Sequence, residues 1–409
     1  MIDLATLAIL IGYVVATRGL SRLPQGLADV FLAVLNLSVA AWICFKGEAL
    51  PYFFVYVGLV GVEFLFIREC QNSRVRYWVG LWFPIAVLVA IKYLPSQLVD
   101  GLVALHIPVS SRMPTYFVGL SYMAFRLTLL AVEINTQATP KISLARYLSF
   151  AFFLPTLVVG PISSFRTFDA SRAEATTPTF KRDFVSGAVR IIFGATKYFF
   201  LASILNQLTF DGLLKAGTRQ VAIDWLVAGA AYYLYLYCNF SGFCDIAIGG
   251  ARLMGIRVAE NFDAPYLARN MQEFWNRWHM TLSQYMRQMV FTPLSKALIG
   301  RFGTTSTRQH LCMVGTISIT FVLTGVWHGR GMQYLLFGIV HALGVSVTYL
   351  YGVLLKRWLG KKGAKQYLQR TSILWMARGA TFIYASFAFA FFVNPPRVLI
   401  DLLKRTQWF

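Results

Sequence analysis

Five histidines occur in 409 residues, and two of them stand where proton chemistry is conceivable. His328 closes the apolar run FVLTGVWHGR (321–330), held between Trp327 and Gly329. His279 follows Trp278 in NRWHMTLS (276–283). An imidazole with an unperturbed pKa of about 6.5 takes up and returns a proton at neutral pH, which suits general-base activation of a hydroxyl. Two readings of His328 stay open: an inward-facing base, or a ring at a helix end that simply meets water. The next apolar run starts at about Met332, so the turn between them must be very short, and Gly329 and Gly331 permit it. Other chemistries lack their patterns. There is no G-x-S-x-G elbow and no local triad, and His279, His328 and Asp245 lack H-E-x-x-H or similar spacing, so no metal site is expected. On one helix His279 would fall four residues after Trp275 and share its face, with Arg277 pointing elsewhere.

A second group of polar residues lies inside apolar sequence. CNFSGFCDIAIGG (238–250) carries Asn239, Ser241 and Asp245, and Gly242 and Gly249 would let another helix approach closely. A carboxylate inside a membrane span is costly unless it faces the bundle interior with a partner, which makes it a functional candidate. Asp245 and Asn239 have the alternative of fixing packing, Asp245 by pairing with a nearby arginine. Glu63 sits within the span 49–67, and Glu133 closes the one beginning at Tyr116 as a helix-end carboxylate.

The elements that must position these groups are membrane helices. Hydrophobic residues make up 57% of the chain and charged residues 13%, whereas a soluble domain carries about a quarter charged. Windows 28–45, 49–67, 77–94, 115–132, 185–205, 222–240, 311–327, 333–355 and 372–393, with a shorter one at 4–17, approach the length needed to cross a bilayer. The chain therefore reads as an all-α polytopic membrane protein. No basic residue precedes the first apolar run, so it is expected to be a retained span starting outside the cytoplasm. The net charge of +21 would suggest nucleic acid in a soluble protein. Here the basic residues cluster in alternate connections, which places those connections in the cytoplasm and explains the charge through topology and anionic headgroups. The five cysteines lack metal-type spacing and read as small buried hydrophobes. No internal repeat supports a two-halved transporter.

Two stretches depart from plain spans. AFFLPTLVVGPISSF (151–165) contains Pro155, Gly160 and Pro161, so a straight helix is not expected; broken backbone at that depth belongs in a protein interior or a cavity wall. Residues 257–300 are too charged to span, and Trp275, Trp278 and Tyr285 among arginines predict helices lying along the membrane surface. The terminal Trp408 and Phe409 read as interfacial anchors.

Taken together, GLSYMAFRL (119–127), FFLPTLVVGPI (152–162), YCNFSGFCDIAIGGARLMGI (237–256), NFDAPYLARNMQEFWNRWHMTLSQYMR (261–287) and GVWHG (325–329) resemble the membrane-bound O-acyltransferase family. The likeness runs in consistent order over residues 115 to 345. It is nearest to the bacterial branch holding DltB, the D-alanyl transferase of teichoic acid alanylation, and AlgI, the alginate O-acetylation protein. FRLTLLAVEI leans to the former and MVFTPL (289–294) to the latter; where relatives usually show arginine then aspartate, this chain has Arg287-Gln288.

The resemblance implies one integral membrane domain over 1–409, with N-terminal helices 1–133, a motif core 134–345 and C-terminal helices 346–409. It implies about ten or eleven membrane helices with re-entrant or interfacial helices around a central tunnel. His328 then maps onto the family's catalytic histidine and His279 onto a second functional one. Asn239, Ser241, Asp245, Trp275, Arg277, Trp278 and Trp327 would line the tunnel. Met286, Met289, Val290 and Phe291 would form an exposed docking patch for an acyl-carrier protein, whose phosphopantetheine-linked thioester is the donor; no bound cofactor is implied. The acceptor would be a hydroxyl of an extracytoplasmic polymer or glycan, with a small accessory peptide or separate transferase as further partners, in the bacterial cytoplasmic membrane. Polysaccharide O-acetylation, a transporter or flippase without chemistry, and a non-enzymatic scaffold are the alternatives.

Overall fold

A computed structural model describes residues 4–45, 47–93, 95–105, 117–136, 142–173, 180–215 and 220–407; the terminal aromatic pair lies outside them. Among the described residues the chain is helical, apart from the two-residue strands Gln220–Val221 and Thr406–Gln407, which pair in parallel. Among the described residues eight helices are long and apolar enough to cross a membrane, against the ten or eleven implied by the resemblance for the whole chain. Two expected windows account for part of the difference. The helix Leu120–Asn135 has 16 residues, and Ala222–Leu253 is a 32-residue helix whose first half is laced with tyrosines; neither qualifies.

The chain divides into two compact units. The first holds residues 1–194 and 243–259. Its centre is the broken segment. The helix Leu144–Ala151 stops, Leu154–Leu157 makes a single turn, and the chain runs without regular structure to the helix Phe165–Ala173. The carbonyls set loose by that break need donors, since water is not at hand in an apolar interior. Arg126 supplies them from the helix Leu120–Asn135. Its guanidinium donates to Thr156 Oγ1 at 2.8 Å and Thr156 O at 3.2 Å, to Ala151 O at 3.1 Å and to Phe150 O, while lying over the Phe150 ring. Five N–H donors in a fixed fork make arginine suited to collecting several carbonyls at once. Gly119 sits in the left-handed region at φ 72, and a Cβ there would lie 1.8 Å from Leu157 O, so only glycine fits.

Four aspartates of this unit are matched to arginines: Asp29 to Arg172, Asp183 to Arg18 and Arg252, Asp169 to Arg146, and Asp245 to Arg190 at 2.8 Å; Glu63 is buried with no hydrogen-bond partner among the described residues. The expected close approach at Gly249 is present: its Cβ would meet Gly187 O at 2.7 Å. Glu133 accepts the Arg166 backbone N–H at its helix end.

The second unit holds residues 195–242 and 260–409. Its framework is a hairpin of the helices Ser306–His328 and Met332–Leu368, joined by the three residues 329–331. The hairpin closes tightly because Gly325 and Gly338 face one another. A Cβ on Gly325 would lie 2.9 Å from Gly338 Cα, and one on Gly338 would lie 2.5 Å from Phe321 O. This crossing sets the height at which His328 emerges. Gly338→Val is therefore expected to lower stability by about 3 kcal/mol or more. Gly352→Val on the same helix, where nothing lies within 4 Å of the added Cβ, should leave the melting temperature of the detergent-purified protein near wild type. Equal melting temperatures for the two variants would disprove the account of the crossing.

Candidate active site

His279 is placed by a break between two short helices. Asn270 caps the helix Met271–Arg277 by accepting from Glu273 N at 2.8 Å. Trp278 ends it, and His279 then adopts φ 42 before the helix Met280–Met286 begins. A non-glycine residue in the left-handed region is strained by about 1–2 kcal/mol, so something must hold it. Asn261 does so. Its backbone oxygen accepts from Met280 N at 2.9 Å, and its Oδ1 accepts from Thr281 N at 3.2 Å, Thr281 Oγ1 at 2.9 Å and His279 Nδ1 at 3.0 Å.

That set of contacts fixes the tautomer. Thr281 N can only donate, so the atom it meets is the amide oxygen, and His279 Nδ1 must then carry the proton. Nε2 is left as the basic nitrogen. Burial pushes this imidazole down to about 3, and the charge of nearby His328 adds to the effect. At neutral pH His279 is therefore neutral: an oriented acceptor rather than a resident cation. The break also corrects the expectation of a shared helical face. His279 does not continue the helix of Trp275, because the left-handed residue turns the chain between them.

His328 ends its helix half-buried. Its ring is walled by Phe392 at 4.9 Å, Phe337 at 5.7 Å and Tyr334 at 6.4 Å, and the Trp327 ring lies 4.5 Å from His328 and 6.4 Å from His279. Trp327 thus neighbours both histidines. Gly329 admits the Tyr334 ring, which would lie 2.2 Å from a Cβ there. Two imidazoles beside one indole are groups that could exchange a proton with a bound molecule.

The other expected residues divide. Trp275 and Trp278 are buried; Trp278 packs on Phe274 and Phe389 and is a core residue. Arg277 pairs with Glu273 and Asp263 and braces the loop. Ser241 accepts from Lys197 Nζ at 3.4 Å, and Asn239 is half-buried on the same helix. Asp245 falls in the first unit with Arg190, as the packing reading has it. The docking patch is less exposed than expected: Met286 is buried, and Met289, Val290 and Phe291 are half-buried. The reason is that Met286 and Phe291 line a groove of about 300 Å³ that continues past Gln272, Trp275, Thr320 and Thr324. Sequence reasoning missed Asn261 and His341. Asn261 stood inside a quoted motif, yet nothing in its spacing ties it to His279.

The neutral state of His279 carries a pH signature. Its pKa is about 3 in the folded chain against about 6.5 for a free imidazole. Between those values the unfolded chain binds a proton that the folded one refuses. The stability present above pH 6.5 is consequently lost as pH falls toward 3, by at most about 1.4 kcal/mol per pH unit. The melting temperature of purified protein should drop between pH 6.5 and 4, and His279→Gln should flatten that slope. An unchanged slope in the variant would show that His279 titrates normally.

Comparison with known proteins bears on this site. The model of the MBOAT, membrane-bound O-acyltransferase family matches residues 74–387. The chain is 31% identical over 252 residues to a teichoic acid D-alanyltransferase of Streptococcus thermophilus, covering 60% of this chain and 58% of that protein. It is 30% identical over 284 residues to the Bacillus subtilis teichoic acid D-alanyltransferase, covering 68% and 69%. A probable alginate O-acetylase AlgI of Pseudomonas syringae pv. tomato is 30% identical over 237 residues, covering 58% and 43%. The match thus spans less than two thirds of the streptococcal and Pseudomonas proteins' own length. A family match across 74–387, over a multi-pass helical chain with two histidines brought beside one tryptophan, shows that this chain belongs to the membrane-bound O-acyltransferase family.

Proposed function

We propose that the protein moves an acyl group, D-alanine, from a carrier-protein thioester onto hydroxyls of an extracytoplasmic cell-envelope polymer. The observation that carries the reading is the histidine pair: His279 locked in one tautomer by Asn261, with His328 within electrostatic reach of it. In this mechanism His328 takes the proton of the acceptor hydroxyl as its oxygen bonds to the thioester carbonyl carbon. The tetrahedral intermediate collapses, the carbon–sulfur bond breaks, and the departing thiolate recovers the proton from His328. His279, neutral and with its proton on Nδ1, presents Nε2 as an acceptor to another N–H or O–H of the bound substrates and so orients them for the transfer. The groove beside Met286 and Phe291 receives the donor arm. Basic connections facing the cytoplasm suit an acidic carrier, with the first helix starting outside. D-alanyl rather than other acyl transfer is supported by the two D-alanyltransferase matches.

Acetyl transfer to a polysaccharide, passed onward to a separate transferase, is the second reading, favoured by the alginate O-acetylase match and by MVFTPL. Mild-base release of ester-linked groups from the cell envelope, identified by mass spectrometry, separates the two. Wild type, a deletion strain and the deletion complemented with His328→Ala at matched protein level suffice. D-alanine is expected to disappear from the last two; disappearance of acetate moves the protein to the second reading. Wild-type ester content with His328→Ala would remove His328 as the base and leave a transporter or scaffold. In vitro, His328→Ala should cost at least about 10³ in rate and Asn261→Ala about 10². Asn261→Asp, which keeps the acceptor for His279 Nδ1, should stay within about tenfold of wild type; a loss as deep as that of Asn261→Ala would show that tautomer control is not its role.

A further inference from the structure

His341 lies in the helix Met332–Leu368 and is fully buried. Rings enclose it: Phe337 at 4.4 Å, Trp275 at 5.0 Å, Phe389 at 5.6 Å, Phe274 at 6.1 Å and Phe321 at 6.4 Å. Its one hydrogen bond among the described residues is from Trp275 Nε1–H to Nδ1, at 3.2 Å. An indole N–H only donates, so Nδ1 is unprotonated and the neutral ring carries its proton on Nε2. Nε2 has no hydrogen-bond partner among the described residues. Burying an unpartnered N–H is unfavourable, and a phenylalanine would fill an aromatic box without that cost. Packing alone therefore does not account for histidine here; the bond to Trp275 does.

Trp275 lines the groove together with Gln272, Asn276, Met286 and Thr324. Phe337 touches His341 and also lies 5.7 Å from His328. His341 consequently stands behind two walls, the indole that faces the groove and the phenyl ring that backs His328. We infer that His341 is a positioning residue: by accepting from Trp275 Nε1 it holds the indole in the orientation that shapes the groove and thereby sets where the donor thioester stops. This rests on the reading that the groove receives the donor arm. His341 touches no reacting atom in this scheme and acts through Trp275.

The test uses the full-length protein, reconstituted with D-alanyl thioester of the carrier protein as donor and teichoic acid as acceptor. Wild-type turnover with a silent His328→Ala establishes the underlying reading. On that footing, His341→Phe and Trp275→Phe should each raise the donor KM about fivefold to tenfold while kcat moves less than about twofold. The double variant should be no worse than either single, because one bond is removed by both. His341→Gln, which keeps an acceptor, should recover a donor KM within about threefold of wild type. Melting temperature alone cannot produce that pattern. A wild-type KM in His341→Phe, or additive effects in the double variant, overturns the inference while the acyl-transfer reading stands. If His341→Phe does not fold, Trp275→Phe decides: an unchanged donor KM there sinks the inference. Failure of the wild type to use the thioester, or retained activity in His328→Ala, overturns the transfer reading and this inference with it.

Discussion

Irregular backbone inside an apolar bundle must find its hydrogen-bond partners within the chain, and both units are organised around that requirement. In the first unit a proline- and glycine-broken segment releases the carbonyls of Phe150, Ala151 and Thr156, and one guanidinium gathers them. In the second a left-handed histidine interrupts two short helices, and one asparagine oxygen gathers three donors around it. The two solutions have opposite polarity. Arg126 is a cluster of donors serving loose acceptors, whereas Asn261 Oδ1 is an acceptor serving loose donors. Leaving such groups unpartnered would cost about 1–3 kcal/mol each, so the anchors stabilise the breaks and let the chain depart from helix there.

The same requirement dictates the state of the histidines. Charge is expensive in a buried site, so His279 and His341 are kept neutral, and each is assigned a tautomer by its partner. Asn261, an acceptor, leaves His279 with its proton on Nδ1; Trp275, a donor, leaves His341 with its proton on Nε2. His328 differs from both in being half-buried at a helix end.

What was legible in the sequence follows the range of the forces involved. Apolar runs, the break at Pro155 to Pro161, the tight turn after His328 and the pairing of Asp245 with an arginine were all readable, because each is decided by local composition or by a cost that has few remedies. The shared face of Trp275 and His279 was misjudged, since helical periodicity was extended through a residue held at φ 42. Nothing in NRWHMT announces that conformation; it is imposed by Asn261, 18 residues away in sequence. His341 was invisible for the same reason: an isolated histidine in an apolar run is unremarkable until Trp275, 66 residues before it, is seen to donate to it. Met286 looked exposed because charged neighbours surround it, yet the groove wall turns it inward.

Charge completes the account. Three buried aspartates of the first unit, Asp29, Asp183 and Asp245, are each matched by arginine, whereas the buried Glu63 has no hydrogen-bond partner among the described residues. Basic residues number 38 against 17 acidic ones, so after such pairing a large cationic excess is left over. Many of those cations stand on exposed helix surface, as Lys356, Arg357, Lys361, Lys362 and Lys365 do. A fold that needed arginine only for internal pairing would carry about as many acids as bases. The surplus is therefore directed outward, to anionic headgroups and, in the proposed reaction, to an acidic carrier whose thioester must be brought to the groove before either histidine can act.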